Sequence, residues 1–362
     1  MICIILGTRP EIIKMSPVIR ECQRLNIDYF ILHTGQHYTY QMDKLFFSEL
    51  KLPAPKYNID VGSGRHGEQT AKMLAEIENI LLEEKPEVVL VQGDTNTVLA
   101  GSLAASKLGI KIGHVEAGLR SFDRKMPEEL NRIMSDHIAD YLFAPTKKSK
   151  ELLINEGIPH EMISVTGNTI VDSVMQNIQL IDEKKILDKW LLKRKNYILI
   201  TAHRQENVDN KRNLTNILKG IDLITQDCGL NVIFPIHPRT AKKLTEFDLM
   251  QNVKKIRNLI IIEPVGFLEL LVLEKCAKLI ITDSGGLQEE ACILNTPCIT
   301  IRENTERPET VEVGANLLVG TNPQNMLEGS RKMMKANSDW KNPLGKGDSA
   351  EKIINFILNR HL

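Results

Sequence analysis

Residues 277–291 read Ala-Lys-Leu-Ile-Ile-Thr-Asp-Ser-Gly-Gly-Leu-Gln-Glu-Glu-Ala: a short apolar run, a sharp turn and the opening of a helix. Ser284 is placed to cap that helix through its hydroxyl, and Gly285 and Gly286 carry no Cβ to keep a ligand from the exposed backbone N–H groups. N–H groups gathered in this way bind anions, phosphate above all. Glu289 and Glu290 follow in the first turn, where the macrodipole favours carboxylates, and a carboxylate one turn below a pyrophosphate can also accept two ribose hydroxyls. A capped helix without a ligand fits the same residues, so the rest of the chain decides.

The strand–turn–helix pattern repeats outward from this point. Upstream, apolar runs at 1–6, 29–33, 88–92, 111–115, 141–144 and 163–165 alternate with helix-like stretches. After Gly167-Asn168 and a mixed helix over 169–192, the rhythm restarts at 197–201, 232–235, 259–262, 279–282, 297–301 and 316–319. Such βαβ alternation implies parallel sheets. A chain of 362 residues exceeds what one core sustains. The expected fold class is therefore α/β, with two doubly wound, Rossmann-like domains over 1–168 and 169–348. An amphipathic helix over 349–362, following the break at Trp340-Lys341-Asn342-Pro343, is expected to cross back onto the first domain.

Composition narrows the function classes. Lys plus Arg and Asp plus Glu are both 46, and no basic stripe interleaves with aromatics, so nucleic acid is an unexpected partner. The six cysteines include no Cys-x-x-Cys pair and read as buried thiols of a reducing compartment. No apolar run approaches the ~20 residues needed to span a membrane. The apolar start at 1–6 runs into Gly7, too short for a signal peptide, so a cytoplasmic location is expected. No Gly-x-Gly-x-x-Gly follows the first strand, so a dinucleotide cofactor has no support, and no metal-ligand set is read.

In doubly wound sheets ligands bind beyond the carboxyl ends of the strands, which makes the polar residues there the ones to collect. Arg9 and Lys14 follow the first strand and place two cations near a helix N-terminus, a position unfavourable without an anion. Gln36 and His37 follow the second strand, and Arg65 lies in a glycine-bearing loop. Asp94 follows the 88–92 strand, with helix capping as its competing role. Glu116 leaves the next strand, and Glu128 opens a helix behind Pro127. Three carboxylates from neighbouring strand ends either crowd one another, raising at least one pKa, or pair with Arg120, Arg124 and Arg132 as plain salt bridges. In the second half His203 follows the first strand, placed to neutralise pyrophosphate or move a proton. The run Arg302-Glu303-Asn304-Thr305-Glu306-Arg307-Pro308-Glu309 gathers charge in a loop no core needs.

Taken together these motifs resemble the non-hydrolysing UDP-N-acetylglucosamine 2-epimerase family over essentially the whole chain. The matching segments, in order, are Gly7-Thr8-Arg9-Pro10-Glu11 with Lys14, Gly93-Asp94-Thr95, His114 to Arg120, and Pro127-Glu128-Glu129 with Asn131-Arg132. They continue with His203-Arg204 and Glu206, Asp283-Ser284-Gly285-Gly286 with Gln288-Glu289-Glu290, and Thr305 to Glu309. The resemblance implies a two-domain, glycosyltransferase-B-like fold with the active site in the interdomain cleft and a homodimer making precursors of surface polysaccharide. It implies Ser284, Gly285 and Gly286 on the pyrophosphate, Glu290 on the ribose, and Arg9, His203 and Arg307 around the diphosphate, with Lys14 in the same group. Asp94, Glu116 and Glu128 match the family's catalytic carboxylates, with His203 beside them. Val265 and Leu270 depart from bacterial members near the uracil, where base contacts run through backbone or through Phe267 as a substitute. Gln36, His37 and Arg65 fall in the region where bacterial members bind an activating second substrate molecule. The implied reaction is C2 epimerisation of UDP-N-acetylglucosamine without a cofactor. Open beside it stand a UDP-2,3-diacetamido-uronate 2-epimerase, a hydrolysing 2-epimerase, a glycosyltransferase of the same fold and a UDP-sugar-binding module.

Overall fold

Runs of β-branched residues buried on both faces become the strands of two parallel sheets. The first sheet holds β1 (Ile2–Leu6), β2 (Tyr29–His33), β3 (Tyr57–Asn58), β4 (Val88–Gln92), β5 (Lys111–Val115), β6 (Tyr141–Ala144) and β7 (Ile163–Val165). The second holds β8 (Tyr197–Thr201), β9 (Asn231–Pro235), β10 (Leu259–Ile262), β11 (Leu279–Thr282), β12 (Cys298–Thr300) and β13 (Asn316–Leu318). This computed structural model describes residues 1–36 and 40–361. They divide into one unit of Met1–Asn177 with Leu344–Leu362 and a second of Ile178–Pro343.

Strand order in the first unit is β3-β2-β1-β4-β5-β6-β7, and in the second β10-β9-β8-β11-β12-β13. In the first, Ile4 pairs with Ile31 of β2 and Leu90 of β4. Ile280 of β11 pairs with Leu199 and Cys298 in the second. Each order reverses direction once, between β1 and β4 and between β8 and β11. That switch point is where the loops diverge and leave a crevice at the carboxyl edge.

Each unit has its own core. In the first, Cys3, Ile5, Leu32, Val89 and Val91 pack on Met73, Ile77, Val98 and Ala104. In the second, Ile198, Ile200, Leu279 and Ile281 pack on Leu214, Ile217, Ile221 and Met326. A fully buried Ile or Leu contributes about 2 kcal/mol. The closing helix Ser349–His361 packs within the first unit, where Phe356 meets the ring edges of Tyr141 and Phe143 at 5.5 and 5.4 Å. Asp172 accepts a hydrogen bond from Ala350 N at 2.9 Å and so holds that helix's N-terminus.

Two local readings of the sequence need correction. β3 is only two residues long, too short for periodicity to reveal. The helix expected over 169–192 is two helices, Thr169–Ile178 and Glu183–Lys189, because Asp182 accepts from Lys185 N and starts the second.

Candidate active site

The turn after β1 is built by close packing. A Cβ on Gly7 would lie 1.9 Å from Thr34 Oγ1 and 2.4 Å from Thr97 Oγ1, and those two hydroxyls share a 2.7 Å hydrogen bond. Glu11 closes the turn from inside. Its Oε2 accepts from Gly7 N and Thr8 N, both at 2.7 Å, and its Oε1 from Thr95 Oγ1 at 2.5 Å. Burial raises the Glu11 carboxyl to about 7, against the pull of these bonds from Thr95, Gly7 and Thr8. Arg9 opens the helix Arg9–Arg24, its guanidinium 4.7 Å from the centre of the Phe46 ring. Further along this helix Lys14 Nζ lies 2.5 Å from Glu116 Oε2, with side chains only 8% and 6% exposed. Gln92 Nε2 donates to the same oxygen at 3.1 Å.

Asp94 follows β4 but does not cap the next helix. Thr95 is the cap, accepting from Val98 N at 3.4 Å, and the Asp94 carboxylate meets Arg132 Nη2 at 2.5 Å. Glu128 and Glu129 stand together in the first turn of the helix Pro127–Ile138 and do different work. Glu128 is half-buried. Glu129 is buried and accepts from Ser121 N and Phe122 N, both at 2.9 Å, and from Arg132 Nη1 at 2.6 Å. Burial opposes its charge, but these bonds and the Arg132 charge hold its carboxyl below the usual value. Of the two settings weighed for the carboxylates, crowding or pairing, Asp94 has Arg132 and Glu116 has a lysine that the sequence reading had assigned elsewhere.

In the second unit Asp283, buried at the end of β11, fixes the turn after β8. It accepts from His203 N at 3.1 and 3.0 Å, from Arg204 N at 3.0 Å and from Asn207 Nδ2 at 3.1 Å. The His203 ring is 38% exposed and lies 5.5 Å from that of His237. Burial lowers its pKa and Asp283 opposes this, while Arg204 and Arg239 add to the lowering. Ser284 caps the helix Gly285–Ile293 by accepting from Leu287 N at 3.5 Å. A Cβ on Gly285 or Gly286 would come no closer than 3.9 Å and 3.8 Å to another part of the chain, and neither residue has a positive φ. Neither internal packing nor backbone conformation requires glycine there.

The charged run at 302–309 is an internal lattice. Arg302 holds Glu306 through bonds of 3.0 and 2.9 Å, and Arg307 Nε donates to Glu289. Thr305 Oγ1 donates to Gln288 at 2.6 Å, so the loop is locked to the glycine helix. Glu290 is buried on that same helix. Phe267, offered near the uracil, begins the helix Phe267–Cys276 and is buried, with only 1% of the residue exposed.

Of the candidate regulatory positions, His37 lies outside the described residues. Gln36 is buried, its Oε1 accepting from Thr97 N at 3.0 Å and Thr97 Oγ1 at 2.8 Å. Arg65 is 91% exposed and faces Glu68 at 3.4 Å. Three features carried no role in the sequence reading: Glu11 inside its turn, a buried set around Asp136, and Phe122. Phe122 is 74% exposed with φ +60°, an uncommon setting for a bulky residue. Only Glu11 had a local signal, as the acid three residues after Thr8 at a helix start.

Two parallel α/β sheets in succession, one unit opening a helix on Gly285-Gly286 and the other carrying cation-paired carboxylates after its strands, define a glycosyltransferase-B-like class of protein. The comparisons specify it. The profile of the UDP-N-acetylglucosamine 2-epimerase family matches residues 20–358. The chain is 57% identical over 357 residues, 98% of each sequence, to UDP-N-acetylglucosamine 2-epimerase of Methanocaldococcus jannaschii. It is 39% identical, over 98% of each sequence, to UDP-2,3-diacetamido-2,3-dideoxy-D-glucuronate 2-epimerase of Pseudomonas aeruginosa. Its fold superposes with a TM-score of 0.92, over 99% of each chain, on the M. jannaschii UDP-GlcNAc 2-epimerase crystallised with UDP-GlcNAc and UDP. The chain belongs to the UDP-N-acetylglucosamine 2-epimerase family and is an isomerase.

Proposed function

We propose that this chain interconverts UDP-N-acetylglucosamine and UDP-N-acetylmannosamine by eliminating and re-adding UDP. The observation that carries this reading is the open Gly285-Gly286 helix start behind Ser284, a diphosphate seat, in a chain whose other unit presents acid/base carboxylates at the ends of β4 and β5. The sugar C2 proton is not α to a carbonyl, so direct removal is slow. Breaking the C1–O bond builds positive charge at C1 and acidifies C2–H. A carboxylate then takes the proton, the C–H electrons form the C1=C2 bond, and 2-acetamidoglucal and UDP result. Re-addition of the diphosphate oxygen at C1, with a proton delivered to the other face of C2, gives the epimer. No net oxidation occurs, so the route calls for no redox cofactor.

The residues divide accordingly. Turn N–H groups at Ser284, Gly285 and Gly286, with Arg9, His203 and Arg307, stabilise the departing diphosphate, and Glu290 takes the ribose. Asp94, Glu116 and Glu128 share proton transfer to the two faces, and Arg132 and Lys14 hold the first two in place. The six free cysteines support a reducing, cytoplasmic setting, and a homodimer is the assembly we infer from the family. No described helix is long and apolar enough to cross a membrane.

Proton NMR of UDP-N-acetylglucosamine with the purified chain in deuterium oxide tests the reaction. Deuterium at C2 with UDP-N-acetylmannosamine accumulating to equilibrium is expected. Free N-acetylmannosamine would mark hydrolysis instead. Retention of the C2 proton would move the assignment to a 2,3-diacetamido uronate, the substrate named for the 39% identical relative.

A further inference from the structure

Behind the carboxylates of the first unit lies a buried charged set that takes no part in the chemistry proposed above. Asp136, on the inner face of the helix Pro127–Ile138, is 1% exposed. Its Oδ1 lies 2.6 Å from His114 Nδ1, and its Oδ2 accepts from Gly118 N at 3.2 Å and from Arg120 Nη2 at 2.8 Å. His114 Nε2 in turn lies 2.7 Å from the Gly93 carbonyl oxygen. Arg120 continues outward to Glu156 through bonds of 2.7 and 2.6 Å and folds Nη1 back on Leu119 O at 2.7 Å.

The acceptors decide the charge. A carboxylate faces one ring nitrogen of His114 and a carbonyl oxygen the other, and neither can donate. Both nitrogens must therefore donate, and the ring is an imidazolium. Burial works against that charge, but Asp136 and the Gly93 carbonyl outweigh it, so the His114 pKa is raised. The set is then balanced, His114 and Arg120 against Asp136 and Glu156, which is what a buried ionic cluster requires.

What the set holds is specific. Gly93 directly precedes Asp94. Gly118 and Arg120 close the turn that begins at Glu116, whose φ of +71° is costly for a residue with a side chain. A Cβ on Gly118 would fall 2.4 Å from Ser149 O, so that turn is also pressed from behind. The helix carrying Asp136 carries Glu128 and Arg132. One buried carboxylate thus reaches all three segments that bear Asp94, Glu116 and Glu128.

We propose that Asp136, with His114 and Arg120 as its two arms, is the positioning centre of the reaction. It fixes the Gly93-Asp94 turn, the Glu116–Gly118 turn and the Glu128 helix relative to one another, so that proton removal and proton return at C2 occur from set directions. This rests on the epimerisation proposed above. Displacing acid/base groups by about 1 Å costs on the order of 10²-fold in rate.

The test uses the full chain with Asp136→Asn, His114→Gln and Glu156→Gln. The last, at a partly exposed site, keeps the proposal testable if the buried variants do not fold. Folded variants are expected to lose kcat for C2 exchange, by about 10²-fold for Asp136→Asn and His114→Gln and by about 10-fold for Glu156→Gln. KM and the affinity for UDP should stay within about threefold. Unchanged kcat in a folded variant would overturn the proposal, as would a joint fall of kcat, UDP affinity and thermal stability, the mark of a merely structural role. An inactive wild type would instead overturn the functional reading. In that case nitrogen-15 NMR of the His114 ring still decides the centre: both nitrogens protonated at pH 7.5 supports it, and a single neutral tautomer refutes it.

Discussion

Glu11 and Lys14 lie three residues apart on one helix in opposite electrical settings. Lys14 is a buried cation matched by a buried anion, Glu116, and removal of the lysine takes away the charge that offsets the burial of that carboxylate. Lys14→Met should therefore destabilise the chain by about 3–5 kcal/mol, while Lys14→Met with Glu116→Gln recovers most of that loss. The double variant should not epimerise, because it lacks the Glu116 carboxylate. Denaturant melts on both proteins decide this, and equal losses in the two would sink the pairing argument. Glu11 is a carboxylate satisfied by hydroxyl and backbone donors, and its pKa rises from 4.5 to about 7. Between those values the folded state binds more protons than the unfolded one. Its stability contribution is therefore complete below about 4.5 and is lost as pH rises through about 7, by at most about 3 kcal/mol. The wild type should weaken between pH 5 and pH 8 by up to that amount more than Glu11→Gln. Parallel pH profiles for the two would show that Glu11 does not titrate there.

Two glycines at strand-to-helix turns look alike in sequence and differ in cause. Gly7 is glycine because threonine hydroxyls fill the space its Cβ would need. Gly286 has room for a Cβ within the chain. Gly7→Ala should therefore lose about 1–3 kcal/mol of stability through overpacking. Gly286→Ala should keep or gain up to about 1 kcal/mol, because alanine is the better helix former. It should also lose at least tenfold in UDP affinity, about 1.4 kcal/mol. Titration calorimetry and melts on the pair separate the two causes, and a Gly286→Ala chain that binds UDP normally would remove the diphosphate from this turn. The elements themselves were legible, because buried parallel strands announce themselves as β-branched runs and their polar followers mark the ligand edge. The reason for each turn residue was not. Whether Asp94 or Thr95 caps the helix after β4 depends on where Arg132 stands, thirty-odd positions away in sequence, and only the fold brings it there.

At the scale of the whole chain the sequence carried the doubled strand rhythm, and with it two sheets, because each unit must bury its own strands and so repeats the pattern. It did not carry β3, which has no period to read, nor the charge-balanced set around Asp136, which is assembled from separate elements with no shared motif. Phe267 shows the same limit: the sequence offers it as a substitute near the uracil, yet the fold buries it in the core. Two separate cores have a thermodynamic consequence, since each supports cooperative unfolding of its own. Heating should give two calorimetric transitions, and UDP, which the proposed function seats mainly on the second unit, should shift one of them more than the other. At a hundredfold excess over its Kd, UDP adds about 2.7 kcal/mol to the unit that binds it, enough to raise that transition by about 5–10 °C while the other moves little. Ser284→Ala, which removes the helix cap but leaves Arg9, Asp94 and Glu116 in place, should shrink that shift and leave the ligand-insensitive transition unchanged. If UDP instead moves both transitions equally, or only one transition exists, nucleotide binding is coupled to both sheets at once, and the second unit cannot be treated as the separate seat of the diphosphate.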